Sequence, residues 1–225
     1  MDNSKPLSDE FRRKRMKNQI IMIASLFCIL KLITGIISYN LVSNILKEQL
    51  VFKCKSVALT VASVIASDSE GYKNFLQTLD MESDFYNSTK ELMMNIKRAN
   101  ADQITYIYTE VRVDDDLMMY IIGGEEPSNP AYTPPGIKDT LVAANREAYE
   151  KQLPTTGMNF EYTDYGTRLS AYAPILHKDT GEFLGLVGAD ITKFQYNKVM
   201  NIVLFETIAG TIIVFLFLGI IVLLF

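Results

Sequence analysis

Apolar positions fall into two regimes along this chain. Two unbroken runs, Ile20–Tyr39 and Ile202–Phe225, are each interrupted by a single charge, Lys31 in the first and Glu206 in the second. Roughly 20 residues of helix cross a hydrocarbon core, so both runs are predicted to be transmembrane helices, at 19–39 and 201–225. Between them the pattern becomes periodic. Leu46, Leu50, Cys54, Val57, Val61 and Ile65 recur every three or four positions, and no helix breaker follows Tyr39 before Gly71. The first span is therefore expected to continue as one helix from Gln19 to about Asp68, roughly 75 Å at 1.5 Å per residue. A stripe of that length is either core or the seam of a dimer.

The period then changes. A second helix is predicted over 85–99, with Leu92, Met93 and Ile96 on one face. Residues 104–111 and 117–124 are rich in β-branched and aromatic side chains and flank the acidic turn Asp114-Asp115-Asp116, which predicts a hairpin. Residues 125–137 hold four prolines and read as a loop, followed by a helix over 138–151. Segments 158–164, 168–177 and 182–191, joined by two turn-like connections, complete the set as antiparallel strands. Five strands with segregated helices make an α+β domain over 40–200.

Charge supplies the topology. The first 17 residues carry six basic and three acidic side chains, a net +3, whereas 40–200 carry fifteen basic and twenty-two acidic, a net −7. Residues 1–18 thus read as a basic, unstructured cytoplasmic tail, and the domain as extracytoplasmic. A cleaved signal peptide fits less well, because the first apolar run is too long and Ser38-Tyr39-Asn40 is no cleavage site. Lys31 and Glu206 are costly in lipid. Each either snorkels to an interface or pairs with the other to fix the two helices.

Composition removes several chemistries. Two cysteines cannot build a disulfide framework, and Cys28, in the membrane, cannot reach Cys54 outside it. The single histidine, His177, sits before a turn, is expected to be exposed, and argues against a multi-histidine metal centre. The three aspartates lack the glycine and closing glutamate of a calcium loop and read as a solvated turn. No basic face suits nucleic acid. No nucleophile–base pair, phosphate loop or cofactor motif is visible, so the chain is read as non-enzymatic and without a cofactor.

The run Leu169–Thr192 (LSAYAPILHKDTGEFLGLVGADIT) and the strand TYIYTEV at 105–111 resemble the extracytoplasmic single-Cache sensor domains of bacterial receptors. The likeness covers about 40–200. It implies a PAS-like five-stranded antiparallel sheet hung on a long N-terminal helix, a homodimer along that helix, and a small ligand held between the sheet and segment 125–151. Inferred ligand-binding residues are Tyr106, Tyr108, Tyr120, Tyr132, Asp164, Arg168, Ser170 and Tyr172. Tyrosines offer apolar bodies with polar tips, Arg168 suits a carboxylate, and Asp164 suits an amine. Period two places Arg168, Ser170 and Tyr172 on one face, which would alternatively be merely solvated. Asp190 leads toward the second span and is assigned to signal relay with Lys31 and Glu206, either anchoring the following helix or touching ligand.

The resulting expectation is the sensory input module of a plasma-membrane signal-transduction receptor, binding an organic acid or amino acid. Such modules precede chemotaxis, diguanylate cyclase, phosphatase or kinase outputs. No output domain lies within these 225 residues, so the sequence is expected to continue beyond Phe225. The competing readings are a membrane-anchored accessory subunit that signals through a partner, and an extracytoplasmic hydrolase.

Overall fold

Once one helical turn is nucleated, each further good helix former adds a hydrogen bond at little cost. Residues 12–17 are all such residues, and in the computed structural model the first helix, α1, runs without a break over Lys5–Ser67. The structure describes residues 5–157, 159–163 and 166–224. The expected unstructured tail is therefore helical from Lys5, because Arg and Lys are helix formers as well as topology signals. α1 ends where Asp68 caps the next helix, α2 (Ser69–Thr78), with its carboxylate accepting from Gly71 N–H at 3.0 Å. Gly71 is thus not a breaker. A side chain there would begin 2.5 Å from Asp68 and 2.6 Å from the Phe85 ring, so its absence lets α2 pack.

The chain divides into two compact units. The first comprises residues 1–45 and 198–225. Its parts of α1 and of the last helix, α5 (Lys193–Leu224), pack with Gly35 against the Thr207 methyl. Leu26, Ile33, Ile36, Ile213, Leu216 and other large apolar side chains point outward. Hydroxyls in this unit bond back to their own helix: Ser25 to Ile21 O at 2.8 Å, Thr207 to Val203 O at 2.8 Å and Thr211 to Thr207 O at 2.7 Å. Lys31 and Glu206 are exposed, and among the described residues no ion pair joins them. Of the two alternatives for these charges, the interhelical pair is not made.

The second unit is Leu46–Asn197. After α2 comes α3 (Asp84–Ala99), capped by Ser83, and then the hairpin β1 (Tyr106–Arg112) and β2 (Leu117–Gly123). The acidic turn between them is held by Asp114, whose carboxylate accepts from Asp116 and Leu117 N–H at 2.9 Å each. Lys138–Thr140 form β3, a short edge strand on β2, where a helix was expected; the helix, α4, begins only at Ala143 and ends at Lys151. Helical propensity in 138–142 yields to the edge hydrogen bonds that β2 offers. β4 (Thr155–Thr156), β5 (Glu161–Thr163), β6 (Gly166–Leu176) and β7 (Phe183–Thr192) follow.

The sheet is antiparallel throughout, in the order β3-β2-β1-β7-β6-β4, with β5 also on β6. Its seven strands are the five expected plus the two- and three-residue edges β4 and β3. Ile107, Leu169, Ala171, Ala173, Ile175, Val187, Ala189 and Ile191 form one buried face, apolar but for Thr109 opposite Val187, whose hydroxyl accepts from Ile122 N–H. Leu50, Cys54, Val57, Val61 and Ile65 of α1 are buried within the same unit, so the periodic stripe is this chain's own core and not a dimer seam. His177 is buried as well, correcting its expected exposure. Its Nε2 lies 2.9 Å from Glu70 of α2, which fastens the β6–β7 turn to that helix and draws the Glu70 carboxyl below its usual range.

Candidate ligand cavity

The other face of the same strands is equally buried but polar. Strand register decides its layout. Gly188 on β7 lies between Tyr108 on β1 and Tyr172 on β6; two residues on, Asp190 lies between Tyr106 and Ser170. Gly188 is required there, since a Cβ would sit 2.5 Å from the Tyr108 ring. The ring instead lies across β7, and its hydroxyl reaches Tyr172 Oη and Asp190 Oδ1, both at 3.3 Å. Tyr120, from β2, meets the Tyr108 ring edge-on at 5.2 Å between centroids and donates to Asp139 of β3 at 3.0 Å.

Arg168 is the cation of this face. Its Nη1 donates to Asp190 Oδ2 at 2.7 Å, while Nε and Nη2 both donate to Thr163 Oγ1 at 2.9 and 2.6 Å. The guanidinium carbon stands 5.8 Å from the centre of the Tyr106 ring. Arg168 and Asp190 are both buried. Burial opposes the charge on Arg168, but Asp190, with Tyr108 and Tyr120, outweighs it and holds the proton more tightly than water would. Burial likewise pushes the Asp190 carboxyl up, and Arg168, Ser170 and Tyr108 pull it back. Burial keeps the phenols of Tyr108, Tyr120 and Tyr172 neutral.

Two small cavities meet at Arg168. One, of about 30 Å³, is lined by Tyr106, Tyr108, Tyr120, Glu125, Thr133 and Arg168. The other, of about 10 Å³, lies among Tyr120, Asp139, Asn145, Arg168, Ser170 and Tyr172. On this measure one water fills about 10–15 Å³, so the larger cavity has room for two or three waters and the smaller for at most one. Loop 124–137 covers the first cavity and is fastened to one face of α3. Lys97 pairs with Glu125, Arg98 Nη2 with Glu126 at 2.7 Å, and Lys90 Nζ stands 4.5 Å from the Tyr132 ring centre.

Of the eight candidate residues, six come together: Tyr106, Tyr108, Tyr120, Arg168, Ser170 and Tyr172. Tyr132 does not line either cavity; its ring turns to Lys90 on α3 while its neighbours Ala131 and Thr133 line the space. Asp164 lies outside the described residues. Asp190 belongs to the site itself, as the buried partner of Arg168. Glu125, which lines the first cavity, was missed, as was Glu110, which is buried on the same face but lines neither cavity. Glu110 is in phase with Tyr106 and Tyr108 at alternate positions of β1, and that spacing alone could have found it.

No protein-family model and no curated protein matches the sequence. Among solved structures, the chain overlaps the extracellular domain of mmHK1S-Z2, a protein assigned as a histidine kinase, with a TM-score of 0.40 and 16% identity. The overlap covers 72% of this chain and 61% of that one, so the chain spans about three-fifths of that structure's length. It overlaps the ligand-binding domain of the Campylobacter jejuni chemoreceptor Tlp3, solved with L-valine, at 0.35 and 12%, covering 68% and 66%. It also overlaps an IclR family transcriptional regulator from Brucella abortus at 0.33 and 12%, covering 60% and 65%. Overlaps this distant carry no argument, and the functional reading rests on the site.

Proposed function

We propose that this chain is the sensory input part of a membrane receptor, and that the cavity at Arg168 binds a small carboxylate-bearing ligand, an organic acid or an amino acid. The observation that carries the reading is a buried guanidinium at the floor of a tyrosine-lined cavity, with its Nε and Nη2 edge donating to one hydroxyl, Thr163 Oγ1. That edge matches the two oxygens of a carboxylate. A hydroxyl is the weaker acceptor, so an incoming carboxylate gains a charge-assisted pair in its place. Loop 124–137 must move to admit such a ligand, because the cavity has room for only a few water-sized groups.

Asp190 supplies the relay. It is the internal carboxylate already on Arg168, and two residues beyond it β7 ends and α5 begins. A ligand carboxylate that competes for Arg168 weakens Asp190's hold on the guanidinium and biases the start of α5. This is a two-state element shifted by differential affinity.

Two helices are long and apolar enough to cross a membrane. Their exposed apolar side chains and self-satisfied hydroxyls suit a lipid surround. With the basic N-terminal side cytoplasmic, unit Leu46–Asn197 is extracytoplasmic. The proposed homodimer uses the outward face of α1, where Ile45, Phe52 and Leu59 are exposed at seven-residue spacing.

The test is a thermal-shift titration of the full chain in detergent against a panel of organic acids and amino acids. A ligand at 100 times its Kd should stabilise by about 2.7 kcal/mol and raise Tm. Arg168→Lys, which keeps the charge but loses the fork, should abolish the shift. A panel without any shift, or an equal shift in Arg168→Lys, overturns the proposal.

A further inference from the structure

Glu110 takes no part in the Arg168 cavities, whose walls it does not line. It points from the polar face of β1 toward α4 and is completely buried. Asn145 Nδ2 of α4 donates to its Oε1 at 3.0 Å. Four buried polar atoms around this contact make no close hydrogen bond, namely Glu110 Oε2, Asn145 Oδ1, Tyr149 Oη of α4 and Tyr72 Oη of α2, although Tyr149 stands near enough to Glu110, and Tyr72 to Thr109, to interact. Gly185, with φ +146°, brings β7 within reach of this cluster; a Cβ there would lie 3.4 Å from the Tyr72 hydroxyl.

The chemistry of these atoms is specific. A carboxylate has no donor, and Asn145 Oδ1 is also only an acceptor. The ionised pair therefore has one hydrogen bond and two acceptors left over. One proton on Oε2 supplies a donor for Asn145 Oδ1, which the ionised carboxylate cannot. A neutral acid and an amide are complementary: amide N–H to acid carbonyl, acid O–H to amide oxygen. The Tyr149 hydroxyl, which donates to the ionised carboxylate, can instead accept from the acid O–H.

We propose that Glu110 and Asn145 form a proton-binding site, through which the domain reads extracytoplasmic pH as a second input at the junction of α2, β1 and α4. The charged and titratable groups acting on it come from every element around it. Tyr149 acts from α4, Tyr72 from α2, Asp190 from β7, Arg168 and Tyr172 from β6, and Tyr108 from β1 itself. Burial is the strongest influence, and Asp190 reinforces it. Asn145, Tyr149 and Arg168 oppose it, and the Glu110 carboxyl is pushed up to about 8. Below that pH the site is neutral and ties α4 to β1. Above it, a buried anion faces Asn145 Oδ1 and the charge of Asp190, with Asn145 Nδ2 and the Tyr149 hydroxyl as its donors, and the tie between α4 and β1 weakens.

The site is also linked to the ligand cavity. Asn145 lines the smaller cavity beside Arg168, so release of α4 loosens that wall. A carboxylate bound at Arg168 would offset the cation that favours Glu110 ionisation, and so raise proton affinity. The proton site itself stands whether or not such a ligand exists.

The experiment uses the full chain in detergent and no ligand. Infrared difference spectra are recorded over roughly pH 6 to 9, below the ordinary tyrosine range. The wild type should lose a neutral-acid carbonyl band with a midpoint near pH 8. The near-ultraviolet dichroism of its tyrosines should change in step; the chain has no tryptophan to obscure them. Glu110→Gln mimics the protonated acid. It should lack the band and hold the low-pH dichroism throughout. Asn145→Leu removes both the N–H that serves the anion and the oxygen that serves the acid; the charge-assisted N–H bond is the stronger, so the midpoint should move upward. The proposal is overturned by the absence of a titrating band, by a band that persists in Glu110→Gln, or by a midpoint that Asn145→Leu leaves in place. Failure of the ligand panel with a midpoint near 8 sinks the carboxylate reading and leaves the proton site standing.

Discussion

The two faces of strands β1, β6 and β7 are built from the same backbone and are both buried, yet their chemistry is opposite. Toward one side lie Ile107, Leu169, Ala171, Ala173, Val187, Ala189 and Ile191; toward the other lie Tyr106, Tyr108, Glu110, Arg168, Tyr172 and Asp190. An apolar interior gains its stability from area removed from water. A polar one must satisfy each group it buries, at a cost whenever it does not. The polar face is therefore where the proposed use of these groups, other than holding the fold together, is to be tested. The difference separates core from site more sharply than burial does.

Changing pH should separate the faces most. Glu110 is raised to about 8 from an ordinary value near 4.5. Below about pH 4.5 it is protonated whether folded or unfolded, and its contribution is complete. Between 4.5 and 8 the unfolded chain releases the proton and the folded chain keeps it, so unfolding becomes easier by about 1.4 kcal/mol per pH unit. Above 8 the loss is complete, on the order of 5 kcal/mol in all. Burial moves Asp190 in the same direction. Chemical denaturation at a series of pH values should show this slope in the wild type and a flatter one in Glu110→Gln. An unchanged slope would mean that the polar face is as inert to protons as the apolar one.

Asp190→Ala comes next. It leaves Arg168 buried and uncompensated, and should cost about 3–5 kcal/mol. Replacing both partners, Arg168→Met with Asp190→Leu, should recover most of that loss and extend the apolar chemistry to this face. The double variant should then melt near wild type and give no ligand shift. If it still responds to carboxylates, the pair is scaffold only. Leu169→Ala, on the apolar face and paired with Ile191, should cost about 2–4 kcal/mol and leave the ligand response intact.

Much of this contrast is legible in the sequence, because period two reports faces. The alternation Arg168, Ser170, Tyr172 against Leu169, Ala171, Ala173 names both sides of β6 from residue types alone. The same spacing joins Tyr106 to Tyr108. What it cannot report is partnership across strands. Asp190 meets Arg168 because Ser170 registers with Asp190, and a 22-residue separation carries no local trace of that register. Nor does it say which side of the loop Tyr132 takes, since Lys90 on α3 competes for the ring. His177 before a turn looks exposed until α2, an element invisible behind Gly71, supplies Glu70. Edge strand β3 is three residues long, too short for any period to register.

The smallest effects come from two neighbours that exchange the rules of the two faces. Ser170 is half-buried on the polar side, beside Asp190; Ala171 is fully buried on the apolar side, opposite Ala189. Ser170→Ala removes a hydroxyl that helps hold Asp190 ionised, and should cost about 1 kcal/mol or less, because Arg168 and Tyr108 remain on the carboxylate. Ala171→Ser adds a hydroxyl of the same size where only apolar groups surround it. It should cost more, about 1–3 kcal/mol, since the new donor is buried without a designed acceptor. Denaturant midpoints of the two variants give the comparison directly. The ordering is the informative quantity: two adjacent residues, one atom apart in composition, differ only in the face they occupy. Equal costs would mean that β6 tolerates hydroxyls on either side and that its alternation is solvation without selectivity. The expected asymmetry makes the polar face a built environment, in which a hydroxyl lost is replaced by neighbours and a hydroxyl misplaced is not.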